Sequence, residues 1–167
     1  MFEEILTKEA TAEARHVLAL ARQIAKELKH AYICPEHILL AIIQSEDKQA
    51  FAIFNGLLVD TNKLRQAIMH DFTVVTASKE GSVNFTPRCN KIFAFAIAAG
   101  RSSRTKINTA KVTTAHVMLG IIHEGSSRPA TVFQELKVNE KAIEQEILLE
   151  NVIGNQNLEA VGEWKKA

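Results

Sequence analysis

The chain has 167 residues, 47% hydrophobic, 23% charged and 6% aromatic, with a formal net charge of +1; that suits one domain or two small halves sharing a core, and it excludes a strong field for nucleic acid or an anionic membrane. One Trp and one Tyr leave little for base stacking, and two cysteines, Cys34 and Cys89, without a CxxC partner make no disulfide framework. Met1-Phe2-Glu3-Glu4 lacks the basic start of a signal peptide and no apolar run nears the ~20 residues needed to span a bilayer, so a cytoplasmic protein is expected.

Residues 1–10 read as a lead-in. Thr11 is placed to cap a helix on which Ala14, Val17, Leu18, Ala21, Ile24, Ala25 and Leu28 form one apolar face. The polar His30-Ala31-Tyr32 ends that pattern. Pro35 suits the first position of the next helix, and Glu36 in its first turn suits the positive end of the helix dipole. Ile38 to Ile43 is apolar almost all round, which predicts a buried central helix. A short helix follows over 50–54 and stops near Gly56, and Asp60 caps a fourth carrying Leu64, Ala67 and Ile68. Residues 72–85 read as a linker. Thr86-Pro87 restarts the pattern, with Ile92, Phe93, Phe95, Ala96 and Ala99 on the apolar side.

The second half repeats the first. Thr11 maps on Thr86 at an offset of 75, and Val17-Leu18 on Ile92-Phe93. His37 maps on His116 at 79, and that offset continues through Ile53-Phe54 against Val132-Phe133 and Asp60 against Asn139. A four-residue insertion between Gly100 and Thr109 explains the change. The expected fold is all-α: two four-helix repeats, pseudo-twofold related and packed as one domain over 1–150. Repeat one runs over about 8–71 and repeat two over about 86–150, with the linker 72–85 between and a tail or linker over 151–167.

The segments Ile33-Cys34-Pro35-Glu36-His37-Ile38-Leu39-Leu40 and Val112-Thr113-Thr114-Ala115-His116-Val117-Met118-Leu119, each preceded by a Thr-capped apolar helix, resemble the double Clp repeat. That is the N-terminal domain of Clp-type AAA+ unfoldases, and the resemblance covers roughly residues 7–150. It implies a non-enzymatic domain that binds adaptor proteins and unfolded or tagged substrates and serves Clp ATPase and protease subunits; no cofactor, metal, nucleic-acid or membrane partner is expected. In some members the Glu of each Glu-His pair helps bind phosphoarginine on substrates. Here that position is Glu36 in repeat one and Ala115 in repeat two. The resemblance thus points to Glu36, with Thr11 and His37, as the binding residues of the first half, and to Thr86 and His116 in the second, where no carboxylate is present. The chain has no Gly-x4-Gly-Lys-[Ser/Thr] phosphate loop, so the motor is not in it. The alternative is a standalone regulatory or assembly subunit of the same machinery.

Blander readings compete residue by residue. His37 and His116 are expected to bond to backbone near a helix start rather than hold a metal. Cys34 and Cys89 are expected as capping or packed thiols, because neither has a resolving partner. The basic run Arg101-Ser102-Ser103-Arg104-Thr105-Lys106 needs no role beyond a solvated loop. Phe51, Phe54, Phe93, Phe95 and Phe133 are mostly core, with an exposed minority available to a groove.

Overall fold

The computed structural model describes residues 2–77, 81–102, 111–145 and 147–148. In chain order the elements are α1 (Phe2–Glu9), α2 (Ala12–Glu27), β1 (Tyr32–Ile33), α3 (Pro35–Gln44), α4 (Lys48–Gly56), α5 (Thr61–Met69), β2 (Asn84–Phe85), α6 (Pro87–Ser102), α7 (Thr114–Glu124) and α8 (Arg128–Glu135). Residues 140–145 are again helical. The all-α expectation holds, and the repeats are α2–α5 and α6 to the helical stretch after α8. No helix among the described residues is long and apolar enough to cross a membrane.

The caps set the helix starts. Thr11 Oγ1 accepts the Ala14 N–H at 3.2 Å, and Thr86 Oγ1 accepts that of Cys89 at 3.4 Å. Asp60 Oδ1 accepts from Asn62 and Lys63. Each such cap stabilises its helix by about 1 kcal/mol. α2 and α6 have 16 residues each. Residues 28–34, seven of them, lead to α3, whereas residues 103–113, eleven, lead to α7. The four extra residues are the insertion. The connection 103–113 includes residues 103–110, so most of the basic run, like the tail 151–167, lies outside the described residues.

Equivalent positions are buried alike: Val17 and Ile92, Leu18 and Phe93, Ile38 and Val117, Leu39 and Met118, Leu64 and Ile143. α3 and α7 are covered on nearly every side, as their all-round apolar sequences demand. Phe54 of α4 and Phe133 of α8 occupy equivalent positions, and their rings meet at 6.4 Å between centroids. The pseudo-twofold axis therefore passes beside this pair.

Two expectations need correction. Residues 2–9 are not a lead-in but α1. It buries Leu6 and is tied down by Glu3 to Arg22 of α2 and by Glu9 to Arg101 of α6, at 2.7 and 2.9 Å. The stretch 72–85 is not wholly linker: Thr76 bridges His30, Val83 is buried, and Asn84–Phe85 is a strand.

That strand shows how the repeats are joined. β1 and β2 pair in parallel, with Ile33 opposite Phe85, and Ala10 bridges Val112 in the same sense. The Thr86 N–H donates to the Ile33 carbonyl at 3.0 Å, and the Thr11 N–H to the Val112 carbonyl at 2.9 Å. Each repeat's long helix thus begins against the start of the other repeat's central helix.

Candidate functional site

The start of α3 is built from both repeats. Cys34 stands at the N-cap and Pro35 at the first helical position, where its missing N–H is no loss. The Cys34 N–H donates to His37 Nδ1 at 2.8 Å, so His37 reaches back to close the helix end. His37 Nε2 then carries the proton and donates to His30 Nδ1, also 2.8 Å away. Phe72 packs on both rings at about 5 Å. α7 repeats the device: the Thr113 N–H donates to His116 Nδ1 at 2.9 Å. Both histidines are buried, His37 completely. They shape the helix starts from within, each accepting the backbone N–H of its N-cap residue.

Burial pulls the His37 pKa down to about 4, with the neighbouring His30 adding to the shift, and burial also lowers His30. A histidine whose folded pKa is depressed contributes stability above its unfolded value of about 6.5, and that contribution is lost as pH falls toward the folded value. Stability should therefore drop by about 2 kcal/mol through His37 alone between pH 6.5 and 4.5. Urea unfolding across that range checks this. In His37→Asn, whose side-chain oxygen still accepts from Cys34, the slope should flatten; an equal slope in both proteins rules out His37 as its source.

Glu36 is half-buried at the open side of α3. Its carboxylate lies in the field of Arg88 on α6 and Arg128 on α8, with Glu124 opposing. Burial dominates and raises its pKa above the ordinary glutamate value. Arg88 and Arg128 are exposed, whereas the Glu124 side chain is nearly covered and accepts the N–H groups of Ser126 and Ser127. The structure thus gives Glu36 the company of Arg88 and Arg128 from repeat two. Thr11, expected beside Glu36, is tied instead to Val112 at the start of α7. The pairing of Thr and Glu is crossed, because α2 and α6 exchange partners through the short strands. Sequence reading did not single out Arg88, Arg128 or Glu124; the signal was there only as Arg88 two residues after the capping Thr86.

Cys34 is raised to about 11 and Cys89 to about 12, both by burial first, so neither thiol is poised as a thiolate. Cys89 Sγ donates to the Ile33 carbonyl at 3.2 Å and is a packed, hydrogen-bonded thiol.

At the other start, Thr114, Ala115 and His116 are 1%, 0% and 6% exposed. Beside it lies a cavity of about 610 Å³ lined in part by Thr11, Glu13, His16, Lys48, Gln49 and Thr113. A second groove, of about 560 Å³, runs between α2, α3, α4 and α5 of repeat one past Leu28, Phe51 and Met69.

The family model of the Clp repeat (R) N-terminal domain matches residues 9–112. The chain belongs to that family. Among its curated relatives it is 29% identical over 140 residues to the negative regulator of genetic competence ClpC/MecB of Bacillus subtilis, covering 83% of this chain and 16% of the relative. The Clp N-domain fold is equally evident in solved structures. The N-domain of ClpV from Vibrio cholerae superposes with a TM-score of 0.71 at 14% identity, covering 87% of each chain. A complex of the ClpV N-domain with a VipB peptide gives 0.65 at 14% identity over 80% of this chain and 82% of that one. The chain spans about a sixth of the length of the curated relatives.

Proposed function

We propose that this Clp N-domain is a non-enzymatic receiving module of a Clp-type unfoldase and protease system, and that it takes adaptors or substrate segments at the open start of α3. The carrying observation is the arrangement around Glu36: one half-buried carboxylate with two exposed guanidinium groups in its field, Arg88, which Glu124 pairs at 3.9 Å, and Arg128. A plain cation would have to compete with those arginines. A group carrying both signs would not: its guanidinium meets Glu36 while its phosphate meets Arg88 and Arg128. Phosphoarginine has that chemistry. The N-domain of ClpV is known in complex with a peptide, which supports a peptide-receiving role for the fold.

Glu36→Ala should weaken binding of a phosphoarginine peptide about tenfold or more, the worth of one charge-assisted hydrogen bond. Fluorescence anisotropy with the labelled peptide measures it. Because the Glu36 pKa is raised, affinity should begin to fall at a higher pH than an ordinary glutamate would give. Equal affinity of Glu36→Ala and wild type removes Glu36 from the site.

A further inference from the structure

The two helix starts differ in more than one side chain. At α3 the second-position residue is Glu36, which places a carboxylate in the first turn. At α7 that position is Ala115, which has nothing to offer, yet its N–H is not left open: Gln49 Oε1, from α4 of repeat one, accepts it at 3.0 Å. Next to it the Thr114 hydroxyl donates to Asp47 Oδ2 at 2.9 Å. The other oxygen of Asp47 caps α4 by accepting the Ala50 N–H at 2.9 Å. Asp47 is buried with both oxygens committed, so it fixes the start of α4 against the start of α7, and this holds Gln49 in place. An anion approaching α7 would have to displace the Gln49 oxygen and would meet the Asp47 carboxylate.

We infer that Gln49 is an internal ligand which closes the start of α7, so that the domain offers one ligand position, at α3. The inference rests on the reading that helix starts receive the ligand.

Two measurements test it. Calorimetric titration with a peptide carrying one phosphoarginine should give one equivalent for wild type. Independently of any ligand, NMR hydrogen exchange at the Ala115 amide should speed up about tenfold or more in Gln49→Ala. Two equivalents in wild type overturn the inference, as does an Ala115 amide equally protected in Gln49→Ala. Should wild type take no peptide at all, the functional reading falls, and the Ala115 exchange rate alone decides whether Gln49 closes α7.

Discussion

Phe54→Ala and Phe133→Ala should each cost about 3–5 kcal/mol of unfolding free energy. Both rings are essentially fully buried, at 1% and 0% exposure, and they sit at equivalent places on α4 and α8. Removing either leaves a cavity at the pseudo-twofold axis, where surrounding helices from both repeats are held by their own packing and cannot collapse into it. A domain of this size has only about 5–15 kcal/mol in total, so one ring is a large part of it. Because the rings touch at 6.4 Å and a tilt of 49°, the two losses should not add. A double-mutant cycle with leucine at each position should give a coupling of about 0.5–1.5 kcal/mol. Chemical denaturation followed by circular dichroism supplies all four values. A loss below about 1 kcal/mol at either position would contradict the packing described.

Gly120→Val should destabilise by about 3 kcal/mol, although helix propensity alone predicts a gain when glycine leaves a helix interior. A Cβ at 120 would stand 2.5 Å from the Ile92 carbonyl oxygen and 3.0 Å from Ile92 Cγ2. The oxygen belongs to the middle of α6, so it moves only if the whole helix moves. Gly100 makes the same point from the other side, since a Cβ there would lie 2.8 Å from Val112 Cγ2. The equivalent residues in repeat one are Ala41 and Ala25, both buried with their methyl groups in place. The α6–α7 pair therefore packs more tightly than α2–α3. Gly120→Ala, with only one added carbon, separates the two effects. A gain near 1 kcal/mol would show that propensity wins and that α6 yields; a loss confirms the close approach. Urea midpoints decide between them.

Much of the fold could be read from local chemistry. Thr11, Asp60 and Thr86 act where short-range capping rules place them, and the apolar run from Ile38 to Ile43 is as buried as its composition required. Interactions between distant residues were not legible. α1 has eight residues and a short apolar face of Phe2, Ile5 and Leu6, too little to stand out by period. It is held by Arg22 and Arg101, which no local rule connects to it. His30 read as a terminator and is instead the acceptor for His37. Of the candidate site, Glu36 could be named from its spacing, but its neighbours could not, because two-residue strands bring α6 rather than α2 to its side. Gln49 gave no signal at all: its partner lies 66 residues away.

The exchange of partners at the short strands constrains how two copies of one unit can drift apart after duplication. A helix start that draws its walls from both copies is not the property of either. A change at residue 88 or 128 alters the surroundings of Glu36, and a change at 47 or 49 alters those of Ala115, although each pair lies in the opposite copy. The unlike starts of α3 and α7 are therefore each fixed by residues of both copies. Specialising one copy for a ligand releases the other only if its partner supplies a substitute, and Gln49 against Ala115 is such a substitute, written in the half of the chain where it is not used.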